Sequence, residues 1–169
     1  MGNKERLLKL YQRVYSKPRL VKSLKVFGIV SLATVALSFS SVILDLAIGG
    51  KYLELIKTAL ASGIPFVLVS LMRYFIDCER PYEIIDYEPL VEMRVKRKSG
   101  KSFPSRHTFS AFVIGTIALW HNPLLGAASI LAGVMIGIER MFLGVHFPRD
   151  VIVGAFLGVA SGAIGILIL

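Results

Sequence analysis

The hydrophobic positions of this chain are gathered into long runs instead of the short alternating stripes of a strand. Residues 27–44 contain no charged side chain, and a membrane span needs about 20 mainly apolar residues, with about 17 as the lower limit. Turn signals at Gly49-Gly50 and Asn122-Pro123 separate neighbouring runs. The pattern predicts five spanning helices, at about residues 23–48, 52–76, 104–120, 123–138 and 148–169.

The segment before the first run is amphipathic. Its apolar residues recur at helical spacing and its basic residues lie largely off that stripe, which is typical of a helix in the membrane interface. Pro18 is expected to end this helix. The chain is therefore predicted to be one all-α integral membrane domain over residues 1–169. It comprises an interfacial helix at about 4–20 and a bundle of about five transmembrane helices over 23–169, with one polar loop at about 78–103.

Composition and charge support this assignment. The chain is 54% hydrophobic with a mean hydropathy of +0.66, and its net charge is +9. A basic chain can bind nucleic acid, but here no basic patch is interleaved with aromatic residues, and the apolar runs do not suit a small nucleic-acid-binding domain. The expected partners are the bilayer and an anionic lipid. Cys78 is the only cysteine, so neither an internal disulfide nor a cysteine zinc site is expected.

Three short motifs carry candidate chemistry. They are Arg73-x6-Arg80-Pro81, Pro104-Ser105-Arg106-His107 and Arg140-x5-His146-x3-Asp150. With five alternating spans, all three fall at one membrane face, although residues 73 and 150 are far apart in the chain. Arginines hold phosphate oxygens with paired donors, and one imidazole can attack phosphorus while another protonates the leaving group. The motifs therefore predict phosphate chemistry on a membrane lipid.

Two helix starts are expected to build the site. Pro104 would begin one helix with Ser102 as its cap, placing Ser105, Arg106 and His107 near its first turn, where backbone N–H groups attract phosphate. Pro148 would begin the last helix. Asp150 could then accept a hydrogen bond from one ring nitrogen of His146 and leave the other nitrogen free to attack. Arg140 would neutralise the charge that develops on the phosphoryl group.

The three motifs together resemble the signature of the type 2 phosphatidic acid phosphatase family, over about residues 73–150. The resemblance implies hydrolysis without a metal or other cofactor. It implies that His146 forms a phosphohistidine, that Asp150 orients it, and that His107 protonates the leaving group and then activates water. It also implies that the phosphate is cradled by Arg73, Arg80, Ser105, Arg106 and Arg140.

The chain departs from the family pattern at three positions. Arg73 stands where lysine is usual, Arg106 where glycine is common, and Glu139 where serine is usual. None of these changes removes a catalytic group. Glu139 would repel phosphate unless it pairs with a basic neighbour, so we expect it to be an ion-pair partner.

Several alternatives remain open from the sequence. The candidate substrates are lipid A 1-phosphate, undecaprenyl pyrophosphate, phosphatidylglycerol phosphate and phosphatidic acid. Lipid-to-lipid phosphotransfer and a non-catalytic module that binds anionic lipids are the competing functions. Eight Lys and Arg residues lie between positions 4 and 25, so the positive-inside rule favours a cytoplasmic site. The resemblance implies instead a bacterial inner-membrane protein with its site at the periplasmic face, and this is the expectation we retain.

Overall fold

The computed structural model describes residues 3–96 and 100–168, and within these ranges the chain forms helices and no strand. The helices are α1 (Asn3–Tyr15), α2 (Pro18–Ile48), α3 (Tyr52–Ile76), α4 (Pro81–Ile84), α5 (Glu88–Lys96), α6 (Arg106–His121), α7 (Pro123–Phe142) and α8 (Pro148–Ile168). Among these described helices, four are long and apolar enough to cross a membrane, namely α2, α3, α7 and α8. The prediction of an all-helical, multi-pass membrane protein is confirmed.

The surfaces of the spanning helices explain how the bundle meets the bilayer. Large apolar side chains such as Ile29, Leu37, Leu68 and Phe156 are exposed on the outside of the bundle. In water such a surface would be costly, at roughly 25 cal/mol for each Å² of apolar area. Against lipid tails the same surface carries no such penalty, so these faces are the lipid-contacting ones.

The third predicted span, at about residues 104–120, is the helix α6, and with 16 residues it is slightly shorter than predicted. It begins at Arg106 and not at Pro104, because Ser105 keeps an extended backbone as the N-cap residue. The helix lies at the centre of the bundle, packed against α7 and α8 and also against α2 and α3. Phe109 and Val113 are fully or almost fully buried there. Because protein surrounds most of α6, its length is set by its neighbours and not by direct contact with lipid.

A stripe of small residues lets α8 approach α6 closely. Gly154, Gly158 and Gly162 recur every four residues and therefore share one face of α8. A β-carbon at Gly154 would lie 2.7 Å from the backbone oxygen of Ser105, and at Gly158 and Gly162 it would lie 2.6 and 2.7 Å from other α6 atoms. This close packing fixes the start of α6 against the start of α8.

The N-terminal helix and the loop before α6 form a cap over one end of the bundle. Tyr11 and Val14 of α1 are buried, and Tyr11 packs in one cluster with Tyr82, Ile85 and Leu90. The apolar stripe expected to face the membrane interface is thus used partly against protein. The region predicted as a polar loop contains α4 and α5, two short helices of four and nine residues that the prediction missed.

The boundary between the interfacial helix and the first span also differs from the prediction. The first helix ends at Tyr15, and Pro18 begins α2 instead of ending α1. Proline suits a first helical turn because the N–H that it lacks would have no partner there. Residues 18–22 therefore belong to the spanning helix.

Of the basic run at residues 94–101, positions 97–99 lie outside the described residues.

Candidate active site

The predicted site residues meet at the end of the bundle where α3 and α7 finish and α6 and α8 begin. A cavity of about 140 Å³ opens there. Six of the eight predicted residues line it although they are distant in sequence, so the one-face prediction from alternating spans is in agreement with the geometry. The lining residues are Arg73, Arg80, Arg106, His107, Arg140, Val145 and His146.

His146 is held from one side of its ring. Its Nδ1 atom lies 3.3 Å from Ser102 Oγ and 3.6 Å from Asp150 Oδ2. The serine hydroxyl donates to the same carboxylate oxygen at 2.5 Å. A hydroxyl has one proton, and because Ser102 gives it to Asp150, its oxygen can only accept from His146. Nδ1 therefore carries the ring proton, and Nε2 keeps the lone pair that a nucleophile needs.

Ser102 is a functional residue that the sequence analysis assigned wrongly, as a helix cap. It is fully buried between His146 and Asp150, while the N-cap position belongs to Ser105. The signal was ambiguous because a serine two residues before a proline at a helix start is a common cap pattern. Only the packing of the loop against α8 reveals the second role.

Asp150 is fixed from several directions. Its side chain is fully buried, and its Oδ2 atom also accepts from the backbone N–H of Phe147 at 3.0 Å. Its backbone oxygen accepts from Ser105 N at 2.9 Å, which ties the start of α8 to the start of α6. Because the carboxylate is immobilised by these contacts, it can hold the orientation of the His146 ring during a reaction.

Arg73 and Arg80 are oriented by the loop before α6. Arg73 is buried and donates to the backbone oxygens of Lys101, Ser102 and Pro104. These contacts use three of the five N–H groups of its guanidinium. Arg80 donates to Gly100 O at 2.9 Å, and also to the oxygens of Lys101 and Val145. Both side chains are thus held in place before any phosphate arrives, which lowers the cost of reorganisation on binding.

Arg140 is paired with its neighbour in sequence. Its Nε atom lies 3.1 Å from Glu139 Oε2, and both side chains are largely buried. Gly28 of α2 faces this glutamate, since a β-carbon there would lie 3.0 Å from Glu139 Cδ. The expectation that Glu139 is an ion-pair partner is confirmed. The acid at this departure from the family pattern therefore contacts a cation and does not stand alone beside the phosphate cavity.

Ser105 and Arg106 are placed differently from each other. The Ser105 hydroxyl is buried and lies 3.0 Å from Thr108 Oγ1, and the backbone N–H of Ser105 donates to the backbone oxygen of Asp150. Ser105 is not among the residues that line the cavity. Arg106 is exposed and lines the cavity beside His107. The structure therefore brings Arg106 to the site and gives Ser105 contacts that hold the helix start.

Burial lowers the pKa of His146 below its usual value, because charge is costly away from water. The nearby carboxylate of Asp150 opposes this effect, while the positive charges of Arg80 and Arg73 add to the lowering. The neutral ring is therefore the stable form near pH 7. A neutral ring protonated on Nδ1 is the form that can attack phosphorus through Nε2.

An apolar groove of about 240 Å³ adjoins the basic cavity and shares Arg106 and His107 with it. Its other walls come from α2, α3, α6 and α7, so it lies between helices, and Phe66 in its wall is also exposed on the outside of the bundle. A cationic pocket and an apolar groove therefore adjoin at this site. The remaining groove residues are Leu32, Val35, Phe66, Ser110, Ala111 and Ile136.

Within residues 3–96 and 100–168, no group of three or more His, Cys, Asp or Glu side chains is placed to hold a metal ion. Four of the residues that line the cavity are arginines.

Comparison with known proteins agrees with this geometry. The family model described as the PAP2 superfamily matches residues 53–169. Phosphatidylglycerophosphatase B of Bacillus subtilis is 36% identical over 110 residues, which are 59% of this chain and 50% of that protein. Undecaprenyl-diphosphatase BcrC of Bacillus subtilis is 26% identical over 112 residues, 63% of this chain and 55% of that protein. The chain thus spans about half the length of the curated relatives it matches.

A solved structure matches over almost the whole chain. The crystal structure of Aquifex aeolicus LpxE superposes with a TM-score of 0.69 at 27% identity, covering 99% of this chain and 96% of that one. The match includes the short α6 and the N-terminal helix, which lie within that coverage.

Proposed function

The chain belongs to the PAP2 superfamily, and from that membership we propose that it hydrolyses phosphate from membrane lipid phosphates or diphosphates through a phosphohistidine. The observation that carries the proposal is the junction of two cavities at Arg106 and His107. One cavity is lined by four arginines and two histidines, and the other is apolar and opens between the helices. A phosphate joined to a hydrocarbon chain is the ligand chemistry that fits both.

In the first step, His146 Nε2 attacks phosphorus, and an N–P bond forms as the bond from phosphorus to the lipid oxygen breaks. His107 gains a proton when the anionic phosphate binds beside it, and it gives that proton to the leaving oxygen. The Ser102 hydroxyl accepts from Nδ1–H of His146 and donates in turn to Asp150. This relay stabilises the positive charge that develops on the His146 ring. The arginines of the cavity balance the charge on the three phosphoryl oxygens.

In the second step, the now neutral His107 takes a proton from water. The water oxygen attacks phosphorus, the N–P bond breaks, and inorganic phosphate leaves. His107 is again protonated and His146 again neutral, so the protein returns to its starting state. No cofactor enters either step.

The substrate class follows from the shape of the site and from the relatives. Proteins named as a phosphatidylglycerophosphatase and an undecaprenyl-diphosphatase are among those the chain is similar to. We propose phosphatidylglycerol phosphate, undecaprenyl pyrophosphate and lipid A 1-phosphate as the leading candidates, ahead of phosphatidic acid. The strongly basic surroundings of the cavity suit densely anionic headgroups. The proposed location is a bacterial inner membrane, with the site at its periplasmic face.

The test is phosphate release by the detergent-purified protein in EDTA, from the four lipids in parallel, with His146→Ala. His121→Ala is the matched control, since His121 lies at the opposite end of α6 and contacts Thr58. Release that persists in EDTA and is lost only in His146→Ala supports the proposal. If no lipid releases phosphate but lipids still bind, the protein is a binding module. Loss of phosphate from the donor lipid only when a second lipid is present, with the phosphate recovered on that second lipid, would identify a phosphotransferase.

A further inference from the structure

A second basic groove lies beside the candidate active site. It has a volume of about 470 Å³ and is formed by the N-terminal helix and the segment that leads into α8. Its lining residues are Arg6, Leu7, Phe147, Pro148 and Arg149. Arg6 and Leu7 lie outside the three motifs that carry the family resemblance. Phe147, Pro148 and Arg149 occupy the positions between His146 and Asp150 that the third motif leaves unspecified. The groove is thus a feature of this chain's own sequence.

The carboxylate of Asp150 separates this groove from the catalytic cavity. One of its oxygens, Oδ2, faces Ser102 and His146, while Arg149 Nε lies 3.5 Å from the other, Oδ1. A phosphate held by Arg149 would therefore lie on the opposite side of Asp150 from the nucleophile. It cannot be the phosphate that reacts, because the fixed negative charge stands between the two positions.

The two arginines remain accessible to a ligand, although the Nε atom of Arg149 lies beside Asp150. The Arg149 side chain is 66% exposed, and its guanidinium carbon lies 5.4 Å from the centre of the Phe147 ring. This cation–π contact orients the group while leaving its edge accessible. Arg6 is exposed on α1, and no carboxylate is among the residues that line the groove.

We propose that Arg6 and Arg149 form a second anion site, which binds a phosphate group of a lipid while another phosphate occupies the catalytic cavity. The proposal rests on the proposed function. The apolar residues Leu7, Phe147 and Pro148 give the groove the mixed character of the headgroup region, where a lipid phosphate lies beside glycerol and chain carbons. Two sources share this chemistry, namely a second phosphate on the substrate and the headgroup of a neighbouring anionic lipid.

Binding is measured without turnover, in the His146→Ala protein. The probes are phosphatidic acid, with one phosphate, and phosphatidylglycerol phosphate, with two separate phosphates, each titrated in phosphatidylcholine vesicles. Arg149→Gln and Arg6→Gln are each expected to weaken binding of the two-phosphate lipid about tenfold more than binding of the one-phosphate lipid, since each variant removes a charged hydrogen bond that only the second phosphate can accept. Arg13→Gln, on the same helix but outside the groove, is the matched control.

A second arm identifies the source of the anion. If it is a neighbouring headgroup, adding phosphatidylglycerol to the vesicles tightens phosphatidic acid binding, and either groove variant removes that gain. The inference is overturned if each variant weakens both probes by the same factor in both vesicles, since Arg149 would then act only through Asp150. It is also overturned if neither variant differs from Arg13→Gln. Failure of the proposed function is seen separately, as absence of phosphate release by the unmodified protein.

Discussion

The hydroxyl of Ser102 determines which nitrogen of the His146 ring carries the proton. It donates to Asp150 and thereby obliges His146 to carry its proton on Nδ1. The direct distance from His146 Nδ1 to Asp150 is 3.6 Å, longer than a good hydrogen bond. The serine therefore supplies the close contact that the carboxylate alone does not.

At the residue scale, Ser102→Ala tests this relay. We expect kcat to fall about 10- to 100-fold with KM nearly unchanged, because hydrogen bonds to charged groups contribute about 1.5–3 kcal/mol and each 1.36 kcal/mol is tenfold in rate. Ser129→Ala is the matched control, since Ser129 is also fully buried and its hydroxyl has no hydrogen-bond partner among the described residues. Equal loss in both variants would mean that Ser102 serves only packing.

The lowered pKa of His146 makes a second prediction at this scale. A nucleophile that stays neutral below the usual imidazole pKa of about 6.5 keeps its activity as the pH falls through that value. The acidic limb of kcat/KM is therefore expected below pH 6.5. Arg80→Gln removes a positive charge that disfavours the protonated ring, so the limb should move to higher pH, whereas Arg80→Lys should leave it in place. A limb that moves equally in both variants would contradict the charge effect.

Most of the residues of the site could be predicted from the sequence, but their contacts could not. Arg73, His107 and His146 could be recognised because their spacing in the motifs is distinctive. The Ser105 hydroxyl was expected to contact phosphate, yet it lies against Thr108, and the phosphate contact stays a prediction. Side-chain direction at a helix start depends on the cap conformation and on the helix packed beside it, and a single sequence records neither.

At the scale of elements, the glycine face of α8 positions the catalytic end of α6. Gly154→Ala would place a methyl group 2.7 Å from the Ser105 backbone oxygen, so the two helix starts must separate. We expect a loss of stability of about 1–3 kcal/mol and a loss of kcat/KM of up to about 100-fold, because a shift of about 1 Å in a site can cost that much.

Gly63→Ala is the control for this substitution. Gly63 also lies in a spanning helix, α3, but nothing lies within 4 Å of a β-carbon built there. Alanine favours a helix by about 0.5–1 kcal/mol over glycine, so this variant is expected to be slightly more stable and fully active. Thermal unfolding in detergent and phosphate release measured on both variants decide the matter. A similar activity loss in Gly63→Ala would contradict the helix-contact account.

The long apolar helices were predictable because their pattern is repeated over many residues. The predicted turn at residues 49–50 lies between the end of α2 and the start of α3, and the predicted turn at residues 122–123 lies at the start of α7. The small helices α4 and α5 were missed, since their formation depends on burying Tyr82, Ile85 and Leu90 under the N-terminal helix. Short elements of this kind are stabilised by tertiary contacts more than by their own sequence.

At the scale of the whole molecule, the membrane orientation is the main open prediction. A Cys78→Ser background removes the single native cysteine, and two exposed positions can then be replaced in turn by cysteine. Glu79 lies at the end of the bundle that carries the site, and Lys51 lies in the turn at the opposite end. For a periplasmic site, an impermeant thiol reagent added to intact cells should label Glu79→Cys and not Lys51→Cys. The reverse pattern would place the site in the cytoplasm, as the basic N-terminal segment favours.

The brevity of the central helix has a consequence for the surrounding bilayer. Sixteen residues rise only about 24 Å, whereas the hydrocarbon layer is about 30 Å thick. Since the longer helices around α6 are the ones that contact lipid, His107 in its first turn is recessed below the ends of those helices, and the substrate phosphate must reach that depth. The thickness of the membrane sets the depth of the substrate phosphate and is therefore a variable of catalysis. Turnover in vesicles of graded acyl-chain length should therefore pass through an optimum at the shorter chains, where a scissile phosphate and the recessed histidine come to the same depth.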